Sequence, residues 1–141
     1  MLQIKHVSKT FNKGTVNEKQ ALRDLNLTLK EGDFVTIIGG NGAGKSTMLN
    51  AIAGVWPVDE GQIIIDDKDV TKLPEYKRAA FLGRVFQDPM NGTAATMGIE
   101  ENLALALRRG TLRTLKPGIN NSERKLYRDL LLIYLPRKFL Y

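Results

Sequence analysis

The chain has 141 residues, 43% hydrophobic and 26% charged, with no cysteine; this is a globular composition with room for one core, and it excludes disulfides and thiolate metal sites. "MLQIKHVSKTF" at the N-terminus mixes charged and apolar residues and is no signal peptide, and the longest apolar run, "LLLIYL" at 130–135, is far short of the roughly 20 residues that span a bilayer. The net charge of +6 lies almost wholly in residues 108–141, with 9 basic and 2 acidic side chains against 12 and 13 in residues 1–107.

In chain order, "LQIKHV" alternates and predicts a strand. "LRDLNLTLKEGD" predicts a second, with Leu25, Leu27 and Leu29 on one face at period two. The polar stretch "NKGTVNEK" (12–19) is the loop between them. Glu31-Gly32-Asp33 is a turn, and "FVTII" (34–38) is a continuous apolar run that predicts a strand buried on both faces. "STMLNAIAGV" predicts a helix with Met48, Leu49, Ile52 and Ala53 on its apolar face and Gly54 as its stop. "GQIIID" (61–66) predicts a short strand ending in a turn, "PEYKRAAF" a short helix opened by Pro74, and "GRVFQ" (83–87) another short strand. Beyond the loop "DPMNGTAATMG", residues 99–109 predict a helix with Ile99, Leu103, Ala106 and Leu107 on one stripe. "GTLRTLKPG" reads as a linker, and Ser122 is placed to cap a last helix running to Pro136. No aromatic interleaving accompanies the basic tail, so it reads as a solvated helical surface and no nucleic-acid partner is expected.

Between the apolar run and the first helix stands "GGNGAGKST": Gly39, Gly40, Asn41, Gly42, Ala43, Gly44, Lys45, Ser46 and Thr47. It satisfies G-x-x-x-x-G-K-[ST] with a predicted strand before it and a helix after it. The glycines let the backbone curl so that successive amides point inward at phosphate oxygens, and the helix adds unpaired N–H groups and the positive end of its dipole. Lys45 can reach the β- and γ-phosphates, Ser46 can ligate Mg²⁺, and Thr47 can donate to the α-phosphate. Binding of a magnesium nucleotide is the expected role.

The loop, its continuation "P-x-x-G-x-I-x-x-D" within "GGNGAGKSTMLNAIAGVWPVDEGQIIIDDKDVTKLP", and the segment "RVFQDP" together resemble the ATP-binding subunit of ABC transporters, over residues 1 to about 125. The resemblance implies an α/β P-loop NTPase of the ABC ATPase type. Its parts would be an antiparallel β-subdomain (1–33 and 58–70), a P-loop core with an incomplete parallel sheet (34–57 and 71–90), and the start of a helical subdomain with a divergent tail (91–141). It also implies ATP and Mg²⁺ as ligands, Phe11 as the aromatic that stacks on adenine, and Val16 flanking the same ring. Gln87 takes the place of the Q-loop glutamine, near Mg²⁺ and the γ-phosphate, so Lys45 and Gln87 become the candidate catalytic residues and Ser46 and Gln87 the candidate metal ligands. The implied partners are a transmembrane permease subunit and a second ATP-binding subunit in a head-to-tail dimer, at the inner face of the cell membrane.

Hydrolysis in that family needs a Walker B strand ending in Asp-Glu, an "LSGGQ" signature and a later histidine, and none is found here; the only histidine is His6. "IIIDD" (63–67) imitates Walker B, but its position soon after Gly61 suits a β-subdomain strand and turn. The chain therefore reads as the N-terminal portion of such a subunit, able to bind nucleotide but not to turn it over alone. Without the Walker B strand, segments 34–38 and 83–87 are expected to expose unpaired edges. Two other readings stay open: a non-catalytic nucleotide-binding fragment or truncated product without activity, and a soluble ABC-type ATPase not coupled to transport.

Overall fold

The computed structural model describes residues 1–111 and 118–134. The chain divides into two compact units, Met1–Gly83 and a second that begins at Arg84.

The first unit is built on a four-stranded antiparallel sheet of order β2-β1-β3-β4, from β1 (Leu2–Phe11), β2 (Lys19–Leu29), β3 (Glu60–Ile65) and β4 (Lys68–Asp69). β1 is central, with Leu2 opposite Leu29 on one side and Ile65 on the other. β3 and β4 are joined by Asp66 and Asp67, both with positive φ, as a tight two-residue hairpin demands. The inward face of the sheet supplies Ile4, Val7, Leu22, Ile63 and Ile65, which form one core with Met48 and Ala51 of α1 (Lys45–Ala53) and with Val70. The expected β-subdomain is thus present, with Leu25, Leu27 and Leu29 half-buried on one face as the alternation predicts. The helix face is rotated from expectation: Ala51 is buried, and Leu49 is exposed.

Segments 34–38 and 83–87 form no strand. Phe34 is 94% exposed, Ile38 91% and Val85 97%. An apolar run needs a neighbouring strand before it can form a ladder, and among the described residues neither segment has one.

The C-terminal end of α1 is anchored by a buried cation. Gly54 ends the helix in a left-handed conformation, its N–H bonding to Ala51 O, while Val55 N–H reaches back to Asn50 O. Arg78, the last residue of α2 (Glu75–Arg78), is 2% exposed. Its Nη1 donates to Ala51 O at 2.7 Å and Ile52 O at 2.9 Å, its Nε to Leu73 O at 2.8 Å, and its Nη2 to Thr71 O at 2.8 Å. Burial pushes the guanidinium below its ordinary value while Asp69 opposes the shift, and an arginine keeps its proton in such surroundings. A Cβ on Gly54 would lie 2.7 Å from Arg78 Nε, so the glycine also clears the space that the guanidinium fills.

Two carboxylates tie the strand ends. The Lys9 ammonium at 2.8 Å and the Thr10 N–H at 2.6 Å hold Asp59 below the usual carboxylate range. The Thr71 hydroxyl and N–H, then the Gln62 amide, do the same for Asp69. Both ionise more readily folded than unfolded, so their contribution is complete above the unfolded carboxylate value of about 4 and is lost as pH falls through the depressed values. The urea midpoint is expected to hold steady from pH 7 to pH 5 and to fall below about pH 4. An Asp59→Asn, Asp69→Asn double variant should show a smaller fall; the same fall in both proteins would count against this assignment.

The second unit contains a 3₁₀ turn (Pro89–Gly92), α3 (Ile99–Leu107) and α4 (Asn121–Tyr134). Asn102 fastens the loop before α3, accepting from Ala94 N–H at 2.8 Å and donating to Ala94 O at 3.1 Å. The buried position of α3 is Ala104, whereas Ile99 and Leu107 of the expected stripe are exposed. Asn120, rather than Ser122, caps α4. Its Oδ1 accepts from Glu123 N–H at 2.8 Å, and the Glu123 carboxylate accepts from Asn120 N–H at 2.9 Å, a reciprocal pair. Arg108 reaches both oxygens of Glu123 at 3.0 Å, and Arg124 pairs with Glu100, which joins the two helices. Most of the expected linker and the end of the basic tail lie outside the described residues. None of the described helices is long and apolar enough to cross a membrane.

Candidate functional site

The glycine-rich segment 39–47 runs into α1, and β2 decides where it sits. Gly44 is buried with φ 88°, and a Cβ there would come within 2.5 Å of Ala21 O. Only glycine combines that backbone conformation with so close an approach. The loop is thereby pressed onto the strand, and Met48 N–H donates to Gly44 O at 2.8 Å as the helix begins. No side chain caps α1, and its first turn carries no acidic residue. Its first amides are left without a side-chain partner at the positive end of the helix dipole, which is where an anion binds most readily.

Lys45 folds back over the loop, its Nζ donating to Gly39 O at 2.5 Å and Gly40 O at 2.7 Å. Asn41, Gly42, Ala43, Gly44, Lys45, Ser46 and Thr47 line a cleft of about 290 Å³ together with Phe11, Lys19 and Ala21. That volume is near the lower bound for ligand pockets. Two lysines and no carboxylate line it, so the cleft is electropositive before the helix dipole is added. The nine motif residues are thus brought together: seven wall the cleft, and Gly39 and Gly40 hold the lysine.

Phe11 closes one end. Its ring meets Trp56 edge to face, with centroids 4.9 Å apart at 81°, and the Lys9 ammonium lies 5.6 Å from its centre. The ring is braced from outside the cleft while it lines the cleft itself. Trp56 was not anticipated; its one signal is that the chain's sole tryptophan comes just after the helix stop. Val16 is not part of the cleft. It is fully exposed in the 12–18 loop, and that wall is made instead by Lys19 and Ala21. Lys19 stands directly opposite Phe11 in the β1–β2 ladder, a register that composition could not reveal.

Gln87 belongs to the second unit, where it is exposed, next to the Asp88 side chain that caps the 3₁₀ turn by accepting from Met90 N–H at 2.9 Å. Asp66 takes its place from the sheet. It sits in the β3–β4 turn at the Met1 end of β1, pairs with the N-terminal ammonium, and takes the Met1 carbonyl on its N–H. Nine strand residues separate that end from Phe11, about 30 Å at the usual rise, and "III" belongs to the antiparallel strand β3. His6 lies within β1 and pairs with Asp24 at 2.7 Å, both exposed. Among the described residues no three His, Cys, Asp or Glu side chains cluster as a metal site.

A family model described as ABC transporter matches residues 22–134. The chain is 44% identical over 126 residues to the tyrosine transport ATP-binding protein of Clostridioides difficile, covering 89% of this chain and 50% of that protein. It is 36% identical over 108 residues to the spermidine/putrescine import ATP-binding protein PotA of Haemophilus influenzae, covering 77% of this chain and 27% of that protein. Among solved structures it is similar to the ATP-binding cassette MJ0796, in a dimeric post-hydrolysis state bound to ADP and Pi. That match has a TM-score of 0.77 and 30% identity, and covers 99% of this chain and 60% of that one. The chain thus spans about half or less of the length of these two curated relatives.

Proposed function

The chain belongs to the ABC transporter family, and we propose that it is the Mg-ATP-binding portion of a transporter's ATPase subunit, one that powers solute import. The observation that carries this is the cleft in which an uncapped helix start, Lys45 and Ser46 lie beside a braced aromatic ring. Phe11 offers its face to adenine. The amides from Asn41 to Thr47 take the phosphate oxygens, and Lys45 leaves the carbonyls of Gly39 and Gly40 for the β- and γ-phosphates. The cleft's donor set fits Mg²⁺ only in part, since the exposed Ser46 hydroxyl supplies one oxygen; Gln87 is carried as a second ligand on the family likeness alone. Bound there, the ion would neutralise charge on the terminal phosphates. Import is favoured by the relative named a spermidine/putrescine import ATP-binding protein. The partners proposed are a transmembrane permease subunit and a second ATP-binding subunit in a head-to-tail dimer, at the inner membrane face.

Asp66 is remote from the cleft and His6 is paired within β1, which supports binding without turnover by this chain. The test is calorimetric titration of the 141-residue chain with Mg-ATP, alongside phosphate release. Wild type should bind and Lys45→Ala should weaken binding at least about tenfold, the scale of one charged hydrogen bond. Equal affinities would remove the phosphate-loop reading, and Lys45-dependent phosphate release would remove the claim of no turnover.

A further inference from the structure

We propose that Lys19 is a second phosphate-binding cation of the cleft, contacting the nucleotide between base and terminal phosphates; this rests on the nucleotide reading of the cleft. Three observations place it there. It is the cross-strand partner of Phe11, so it leaves β2 at the same end of the sheet as the candidate base platform. Its Nζ lies 3.2 Å from where a Cβ on Gly42 would be, so the ammonium rests directly on the phosphate loop. It also lines the cleft, whose walls hold no carboxylate, and no ion pair ties it to another of the described residues. The nearest acid in sequence, Glu18, is engaged elsewhere, accepting from Gly14 N–H at 2.7 Å.

An ammonium held over backbone amides that already favour an anion has no ion-pair partner among the described residues. A ligand bearing negative charge at that point removes the conflict. With a base on Phe11 and the terminal phosphates at Lys45, the group that must cross Lys19 is the α-phosphate with its ribose. Lys45 and Lys19 thus divide the phosphate chain between them: Lys45 reads the terminal phosphates, and Lys19 the one next to the sugar. A charge there strengthens ATP and ADP alike, whereas Lys45 distinguishes them from AMP. Lys19 is a positioning and affinity residue in this scheme, since it holds the near end of the nucleotide while the far end meets the loop.

The test uses the full 141-residue chain and titrates Mg-ATP, Mg-ADP and AMP against wild type, Lys19→Gln, Lys19→Arg and Lys45→Ala, with salt varied from low to physiological. Lys19 is exposed on a strand, so Lys19→Gln should keep the far-ultraviolet spectrum and urea midpoint of wild type. Lys19→Gln is expected to weaken ATP and ADP by the same factor of about five to twenty, the scale of one partly screened charged contact. It should also flatten the salt dependence, and Lys19→Arg should restore most of the affinity. If wild type binds in a Lys45-dependent manner but Lys19→Gln binds equally well, the proposal fails while the nucleotide reading stands. If Lys19→Gln weakens ATP but spares ADP, the lysine meets the γ-phosphate and the assignment is overturned. If wild type binds none of the three nucleotides, both readings fall together.

Discussion

Arg78→Ala is expected to destabilise the chain by about 3–5 kcal/mol, the usual result of removing one partner from a buried charged network. Four carbonyl oxygens, those of Ala51, Ile52, Thr71 and Leu73, lose their donor at once. They fall into two pairs. Two close the C-terminal end of α1, where helix carbonyls have no intrahelical partner. The other two fix the connection between β4 and α2. Ala51 O keeps the Gly54 N–H, so it is only half deprived. The loss is large against a typical total stability of about 5–15 kcal/mol, so local measurements are needed beside global ones. Amide hydrogen exchange should show the last turn of α1 opening first, followed by a fall in the urea midpoint. Arg78→Lys supplies a charge with one compact head and should recover only part of the loss, because a single ammonium cannot reach all four oxygens. If Arg78→Lys is as stable as wild type, then charge at the helix end is what matters and the four-acceptor account is wrong.

Arg78 also shows where sequence reading stops. Local pattern found β1, β2, β3, α1 with its glycine stop, and the proline that opens α2, but not β4, whose two residues lie where the sequence reads as a turn. An arginine at the end of a four-residue helix leaves no such pattern; its role comes from carbonyls about 26 residues earlier that only the folded chain brings near. The same holds at the cleft. The motif marked Lys45, Ser46 and the glycines, since their spacing is their mechanism. Lys19 and Trp56 enter through strand register and an aromatic contact, which no window of neighbouring residues encodes. Family likeness pointed to Val16 on that wall, and the exposed tip of the 12–18 loop is where the structure puts it instead.

Segments 34–38 and 83–87 mark the opposite case, where the pattern is clear and the element does not form. "FVTII" has the composition of a doubly buried strand, yet Phe34 and Ile38 are almost fully exposed. A strand is a property of pairs, and hydrophobic composition supplies only one member. Burying that apolar surface against a neighbouring strand would gain on the order of 25 cal/mol per Å² and would also satisfy the ladder groups. The run is therefore a partner-dependent strand, and the phosphate loop that follows it takes its position from β2 through Gly44 instead.

That dependence on β2 sets the second large effect. Gly44→Ala should cost about 3–5 kcal/mol, of which roughly 1–2 is the left-handed backbone and the rest the clash of a new Cβ with Ala21 O, comparable to overpacking a core. Gly42→Ala separates the two contributions. Its φ of 80° carries the same backbone penalty, but the new Cβ meets only the flexible end of Lys19 at 3.2 Å, and that side chain can swing away. Gly42→Ala should therefore lower the urea midpoint by the smaller amount alone. The loop can escape the Gly44 clash only by lifting off β2, which moves the first turn of α1 and opens the cleft. Gly44→Ala should then lose Lys45-dependent nucleotide binding even under conditions where β1–β3 amides remain protected from exchange. Equal midpoints for the two variants would mean that the contact with Ala21 does not hold the loop, and that α1 is placed by its core residues Met48 and Ala51 alone.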